Sequence, residues 1–241
     1  MQKICFIIAM EAEARPLIER FGLQLIEGYF GHLPTLLYSG LLNGKELYVV
    51  LNGKMGGLDL VGCEPATLTA QLAIERLHPD LIVNAGTCGA FKADGSQIGD
   101  VYLSEGGIMF HDRRIGDDGG WHEMGLGNYP CIDATDIAST LGLKLGKCTT
   151  GSSLDMTDTD LAIIRRHGGM LKDMEAGAIA YVAALHKVPL LCVKSVTDLC
   201  DGGRATEEEF RENLSMASFA LRNACTKIIE YLFLDQPGLF D

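Results

Sequence analysis

The sequence predicts a single α/β domain in which helices flank a central mixed β-sheet. Three observations carry that expectation. Short apolar runs bounded by turn residues alternate with helical patterns along the 241-residue chain. Hydrophobic residues make up 47% of it, enough to bury one sizeable core. The stretch "SGLLNGKELYVV" carries the Asn-Gly of a tight hairpin, so part of the sheet must be antiparallel. No linker, repeat or low-complexity segment divides the chain, and one domain is expected over residues 1–241.

Taken in order, the predicted strands are "KICFIIAM" (3–10), "PTLLYSG" (34–40), "KELYVVLNG" (45–53), "DLIVNAG" (80–86), "GDVYLSEGGIMF" (99–110), "GKCTTG" (146–151) and "PLLCVKSVTD" (189–198). Each is a short apolar run ended by Gly, Asn, Asp or Ser. Helical spacing appears at 11–21, 66–77, 133–142, 158–168 and 174–187. The last helix, 206–234, opens at Thr206 with Glu209 three residues on, the spacing of a capping box. Nothing breaks it before "QPG" near the terminus. The segment 111–130, rich in Gly and charge, reads as a long loop of the kind that is functional or disordered.

A net charge of -12 argues against duplex nucleic acid and anionic membranes, because no broad basic patch exists to meet their phosphates. A small uncharged or zwitterionic ligand suits the chain better. The eight cysteines include no C-x-x-C, which speaks against zinc and thioredoxin chemistry. Several lie in apolar runs, as Cys5 does in "ICFII", and read as reduced thiols in a reducing cytoplasm. The apolar run Ile4 to Met10 is too short to span a bilayer, and no small-residue cleavage site follows it. The expectation is a cytoplasmic protein.

In open α/β sheets, ligands collect outside the carboxyl ends of the strands. Three such ends carry unusual residues: "AMEAEA" with Glu11 and Glu13, "AGTCGAF", and "VTD" ending in Asp198. "KDMEAG" adds Met174 and Glu175 at a helix start. Residue by residue, each has a structural explanation. Acids in a first helical turn complement the helix dipole, and an Asp ending a strand is commonly a turn residue. "GTCGAF" fits neither the G-x-G-x-x-G fingerprint nor a P-loop, so no dinucleotide or triphosphate is implied. His111 and His122 flank no nucleophile.

Seven pieces in order, "FIIAMEAEARPL", "VNAGTCGAFK", "IGDV", "FHDRRI", "TGSSLDM", "LKDMEAGAIAYVA" and "VTDLCDG", resemble the 5′-methylthioadenosine/S-adenosylhomocysteine nucleosidases of the nucleoside phosphorylase family, the plant-type branch most closely. The resemblance implies a nucleoside phosphorylase-like fold, a homodimer, a nucleoside substrate and no metal or organic cofactor. It assigns Glu13 to the attacking water and Asp198 to N7 of the departing adenine. Glu175 would grip the ribose hydroxyls, with Met174 packed against the sugar. Thr87 would contact substrate, Leu154 and the backbone of Asp155 would line the adenine, and Lys172 and Asp173 would complete the binding stretch. Glu11 would be a neighbour only.

The chemistry accounts for these residue types. Cleaving a ribose–adenine bond builds positive charge on the sugar, which carboxylates stabilise, and negative charge on the base, which an acid neutralises. Asp198 must hold its proton near neutral pH, so its pKa is expected to be raised when substrate is bound, by desolvation and neighbouring carboxylates. Family phosphorylases carry an arginine in the strand before the glycines, where this chain has Asn84. Hydrolysis is therefore favoured over phosphorolysis. A futalosine-type nucleosidase and a non-catalytic nucleoside-binding protein are the remaining alternatives. Bacterial-type members have an aromatic residue where this chain has Leu154, so apolar packing must replace base stacking there.

Overall fold

The computed structural model describes residues 1–116 and 119–233, so "QPG" lies outside the described residues. In chain order the elements are β1 (Lys3–Ile8), α1 (Glu11–Phe21), β2 (Gln24–Ile26), β3 (Leu36–Leu42), β4 (Lys45–Leu51), β5 (Lys54–Met55), β6 (Leu58–Asp59), α2 (Cys63–Leu77) and β7 (Leu81–Ala90). Then come β8 (Val101–Ser104), β9 (Met109–Phe110), α3 (Trp121–Leu126), α4 (Thr135–Leu141), β10 (Lys144–Gly146) and β11 (Cys148–Thr150). The chain continues through α5 (Asp158–Arg166), β12 (Leu171–Asp173), α6 (Ala176–His186), β13 (Leu190–Leu199) and α7 (Thr206–Phe233).

The main sheet runs in the order β10-β8-β13-β7-β1-β4-β3-β2, with β12, β11 and β9 branching from β7. Its centre is parallel, and β3 joins β4 as the expected antiparallel hairpin. Asn43 and Gly44 form its turn with φ of 53° and 77°, values a two-residue hairpin demands at both positions. Alternate residues of β1 feed two cores. Ile4, Phe6 and Ile8 point to the side of α1 and α7, while Cys5 and Ile7 point to that of α2 and α6.

Several predicted elements come out differently, each for a local reason. The run 99–110 is two strands, because Gly106 and Gly107 both take positive φ and break the ladder. The run 146–151 likewise falls into β10 and β11, which pair with different neighbours. The strand expected to end at Gly86 instead continues through "TCGA" to Ala90, held by β13 from Ile82 onward. The helix expected at 174 begins at Ala176, after the short strand β12, and the one expected at 66 begins at Cys63. The hairpin β5–β6 and the exposed edge strand β2 have no counterpart in the sequence reading. Within 111–130, the described residues include the one-and-a-half-turn helix α3.

None of the eight cysteines is in a disulfide. No helix among the described residues is long and apolar enough to cross a membrane.

Candidate active site

A cavity of about 370 Å³ opens at the carboxyl ends of β1, β7 and β13. Glu13, Thr87, Lys172, Asp173, Met174, Glu175, Asp198 and Leu154 all line it. Asp155 does not; it is exposed beside Leu154. The cavity thus gathers eight of the nine residues singled out from the sequence, from segments up to 185 positions apart (Glu13 to Asp198).

Glu13 is the third residue of α1, and its Oε2 accepts the N–H of Met10 at 3.3 Å, the backbone half of a capping box. Its Oε1 accepts two further bonds at 2.7 Å, from the backbone N–H and the hydroxyl of Thr87. The carboxylate is buried yet faces the cavity. Capping and site placement are therefore the same fact. Glu11 points away and pairs with Arg15 and Lys54 near the surface.

Glu175 is the N-cap of α6, but its side chain does not cap the helix. Asp173 does that work: its Oδ2 accepts the N–H of Ala176 at 2.8 Å and of Glu175 at 3.3 Å. The Glu175 carboxylate is left to take the N–H of Gly62 at 2.8 Å, at the entry to α2. Burial, then the nearby Asp173 charge, push its pKa up to about 7. Asp173 itself is fully buried against Lys194, Nζ to Oδ2 2.7 Å, and accepts the Thr150 hydroxyl at 2.5 Å. Burial opposes its charge, but Lys194 and these hydrogen bonds outweigh that and hold it below the usual carboxylate range.

Asp198 sits in β13 at a bulge: register against β7 slips between Val196 and Asp198, with Thr197 the extra residue. A bulge re-aims the side chain that follows it, here into the cavity. The Thr197 hydroxyl donates to Asp198 Oδ1 at 2.9 Å. Burial raises the Asp198 pKa, Glu209 adds to that, and Thr197 and Lys172 pull the other way. Gly89 makes the approach possible, since a Cβ there would lie 2.6 Å from Asp198 Oδ2 and 2.7 Å from Cys200 Sγ. Gly89→Ala should push the carboxylate aside, costing about 1–3 kcal/mol by overpacking and most of the activity. A thermal melt and a rate measurement on one preparation check both.

Lys172 donates from Nζ to the carbonyls of Ser153 (2.6 Å) and Leu154 (3.0 Å), and so shapes the loop that presents Leu154. Sequence reasoning missed Lys194, though a lysine in the middle of an apolar strand was a visible signal. It also missed Asp59, Thr197 and the ring of Phe210, all lining the cavity. Phe210 supplies an aromatic surface in a cavity where Leu154 has none. The β6 residues had no pattern to find. His111 is a buried core residue whose Nδ1 lies 3.2 Å from the Thr149 hydroxyl, and burial lowers its pKa to about 4.

A mixed α/β sheet with a carboxylate-lined cavity at its strand ends defines the class. Residues 3–230 match the family described as the phosphorylase superfamily, and the chain belongs to it. It is 42% identical to the 5′-methylthioadenosine nucleosidase of Arabidopsis thaliana, over 96% of this chain and 88% of that protein. It is 39% identical to the 5′-methylthioadenosine/S-adenosylhomocysteine nucleosidase of the same plant, over 95% and 91%. Within the superfamily the chain is thus a member of the 5′-methylthioadenosine/S-adenosylhomocysteine nucleosidases, close to their plant branch. The solved apo structure of the Arabidopsis 5′-methylthioadenosine nucleosidase superposes with a TM-score of 0.93 at 41% identity, covering 97% of this chain and 96% of that one. A futalosine hydrolase of Helicobacter pylori, 19% identical with a TM-score of 0.79 over 95% and 98% of the two chains, shares the fold.

Proposed function

We propose that the protein hydrolyses the N-glycosidic bond of 5′-methylthioadenosine, releasing adenine and the 5′-thioribose. The observation that carries this reading is the convergence of Glu13, Glu175 and Asp198 on one cavity from three distant segments. Asp198 is the acid: burial makes it hold a proton more firmly than a free carboxyl does, and it gives that proton to N7 as the base departs. Glu175 accepts the ribose hydroxyls and, with Glu13, faces the positive charge developing on the sugar. Glu13, held from two sides by Met10 and Thr87, orients the attacking water. Met174, Leu154 and Phe210 supply apolar surface for sugar and base.

Water is favoured over phosphate as nucleophile on electrostatic grounds. Lys172 is the cation lining the cavity, and its ammonium already serves two carbonyls. The carboxylates of Glu13, Asp59 and Glu175 would repel an anion. The test is adenine release from 5′-methylthioadenosine in phosphate-free buffer. Release at full rate supports hydrolysis; turnover that appears only when phosphate is added overturns it.

The Glu175 pKa predicts a pH effect. Its carboxyl is protonated below about 7, where it loses an acceptor for the ribose hydroxyls. Thus kcat/KM should fall tenfold per unit as pH drops below about 7. A flat profile from pH 5 to 8 would remove Glu175 from that role.

The reading extends to a cytoplasmic homodimer acting in methionine salvage. The family resemblance supports it, as do exposed apolar side chains on the adjacent helices α2 and α6, Leu68, Tyr181 and Leu185, which a second copy would cover. Light scattering decides the oligomeric state. Comparing rates on 5′-methylthioadenosine and S-adenosylhomocysteine decides the substrate range.

A further inference from the structure

We propose that the buried Lys194–Asp173 ion pair is a positioning device for the site: it locks the Glu175 carboxylate in place and sets its readiness to accept the ribose hydroxyls. The second half of this rests on the nucleosidase reading; the first does not.

Both side chains are buried, 1% and 0% exposed, with Nζ and Oδ2 2.7 Å apart. Such a pair adds little net stability compared with apolar side chains of similar size, so what it contributes here is placement. From Asp173 the placement spreads through hydrogen bonds. Oδ2 takes the N–H of Glu175 and Ala176, and Oδ1 takes the Thr150 hydroxyl, whose oxygen in turn accepts the N–H of Gly177 at 2.7 Å. Three consecutive N–H groups at the start of α6 are thereby tied to one buried charge. Glu175 has no freedom to turn back and cap its own helix.

The pair also sets the field at Glu175. Acting on it are Asp173 and Glu13, which disfavour its charge, and Lys194 and the N–H of Gly62, which favour it. Asp198 and Lys172 line the same cavity, and the Cys63 thiol, at the start of α2, donates to the Met174 carbonyl. Lys194 is buried in β13, and a Cβ on Gly86 would be 3.4 Å from its Nζ and 3.5 Å from Glu13 Oε1, so the ammonium and the Glu13 carboxylate both approach the bare Cα of Gly86.

The two partners act on Glu175 with opposite sign, and that makes the proposal testable. Lys194→Met removes the favouring cation, so the Glu175 titration should move up by about one pH unit or more. Asp173→Asn leaves the cation facing Glu175, and the titration should move down by a similar amount. Lys194→Arg keeps the cation and should stay near wild type. Carboxyl-carbon NMR of glutamate-labelled protein reads this directly, the Glu175 signal being identified by its loss in Glu175→Gln. Unchanged titration in both variants, or shifts in the same direction, would overturn the proposal.

Should a single variant fail to fold, the Lys194→Met/Asp173→Asn double variant leaves no unpaired charge. It should raise KM for 5′-methylthioadenosine at least tenfold while kcat changes less; a wild-type KM would overturn the proposal. Wild-type protein that releases no adenine would instead sink the nucleosidase reading, with the NMR result still standing.

Discussion

Asp198→Asn should cut adenine release by about 10²–10⁴-fold, the contribution typical of a positioned general acid, and should leave the fold intact. The Thr197 hydroxyl can still donate to the asparagine carbonyl oxygen, so the bulge that aims the side chain keeps its contact. The stability effect has a definite sign. Burial raises the Asp198 pKa above its unfolded value, so the folded state binds this proton more tightly. That stability is complete below the unfolded pKa and is lost as pH rises through the folded one. At neutral pH the neutral amide avoids the cost, and the variant should melt at or above the wild-type temperature. An enzyme that pays stability for a functional group commonly behaves this way. A fully active Asp198→Asn variant would refute the assigned role.

Glu13→Gln should also abolish most release, but with the opposite effect on stability. Both oxygens of Glu13 accept backbone N–H groups, Met10 on one side and Thr87 on the other. A glutamine amide can present only one oxygen, so in either orientation its NH₂ faces an N–H donor. An unsatisfied buried donor costs about 1–3 kcal/mol, which should lower the melting temperature. The two variants, each turning one carboxyl into an amide, are thus expected to lose activity together and move apart in stability. Kinetics and thermal melts on both check this, and a Glu13→Gln variant with wild-type activity would remove Glu13 from the reaction.

Legibility followed locality. The strands β1, β3, β4 and β13 and the helix α7 could be read from the chain because one face or both are buried and the pattern is regular. The breaks within 99–110 and 146–151 could not, since they depend on which neighbour each short strand finds. β7 running through "TCGA" escaped the reading for the same reason: Gly and Thr there look like a turn until β13 pairs with them. Lys194 appeared in the sequence as an anomaly in an apolar strand, with nothing local to say what partnered it. Its partner lies 21 positions earlier, in a strand too short to show a pattern.

Residue types and their order are properties of the chain: one α/β domain, acids at strand ends, no arginine where phosphate would need one. What each acid does was decided by the tertiary structure, because capping and catalysis ask for the same side chains at the same local positions. Glu175 stands where a helix cap would stand, yet Asp173, neutralised by Lys194 from a different strand, makes the capping bonds. Glu13 caps its helix and faces the cavity at once. Asp198 ends an apolar run as a turn residue would, but a bulge and the bare Cα of Gly89 turn it inward. A carboxylate's role depends on which donors and charges reach it, and here those come from residues far away along the chain.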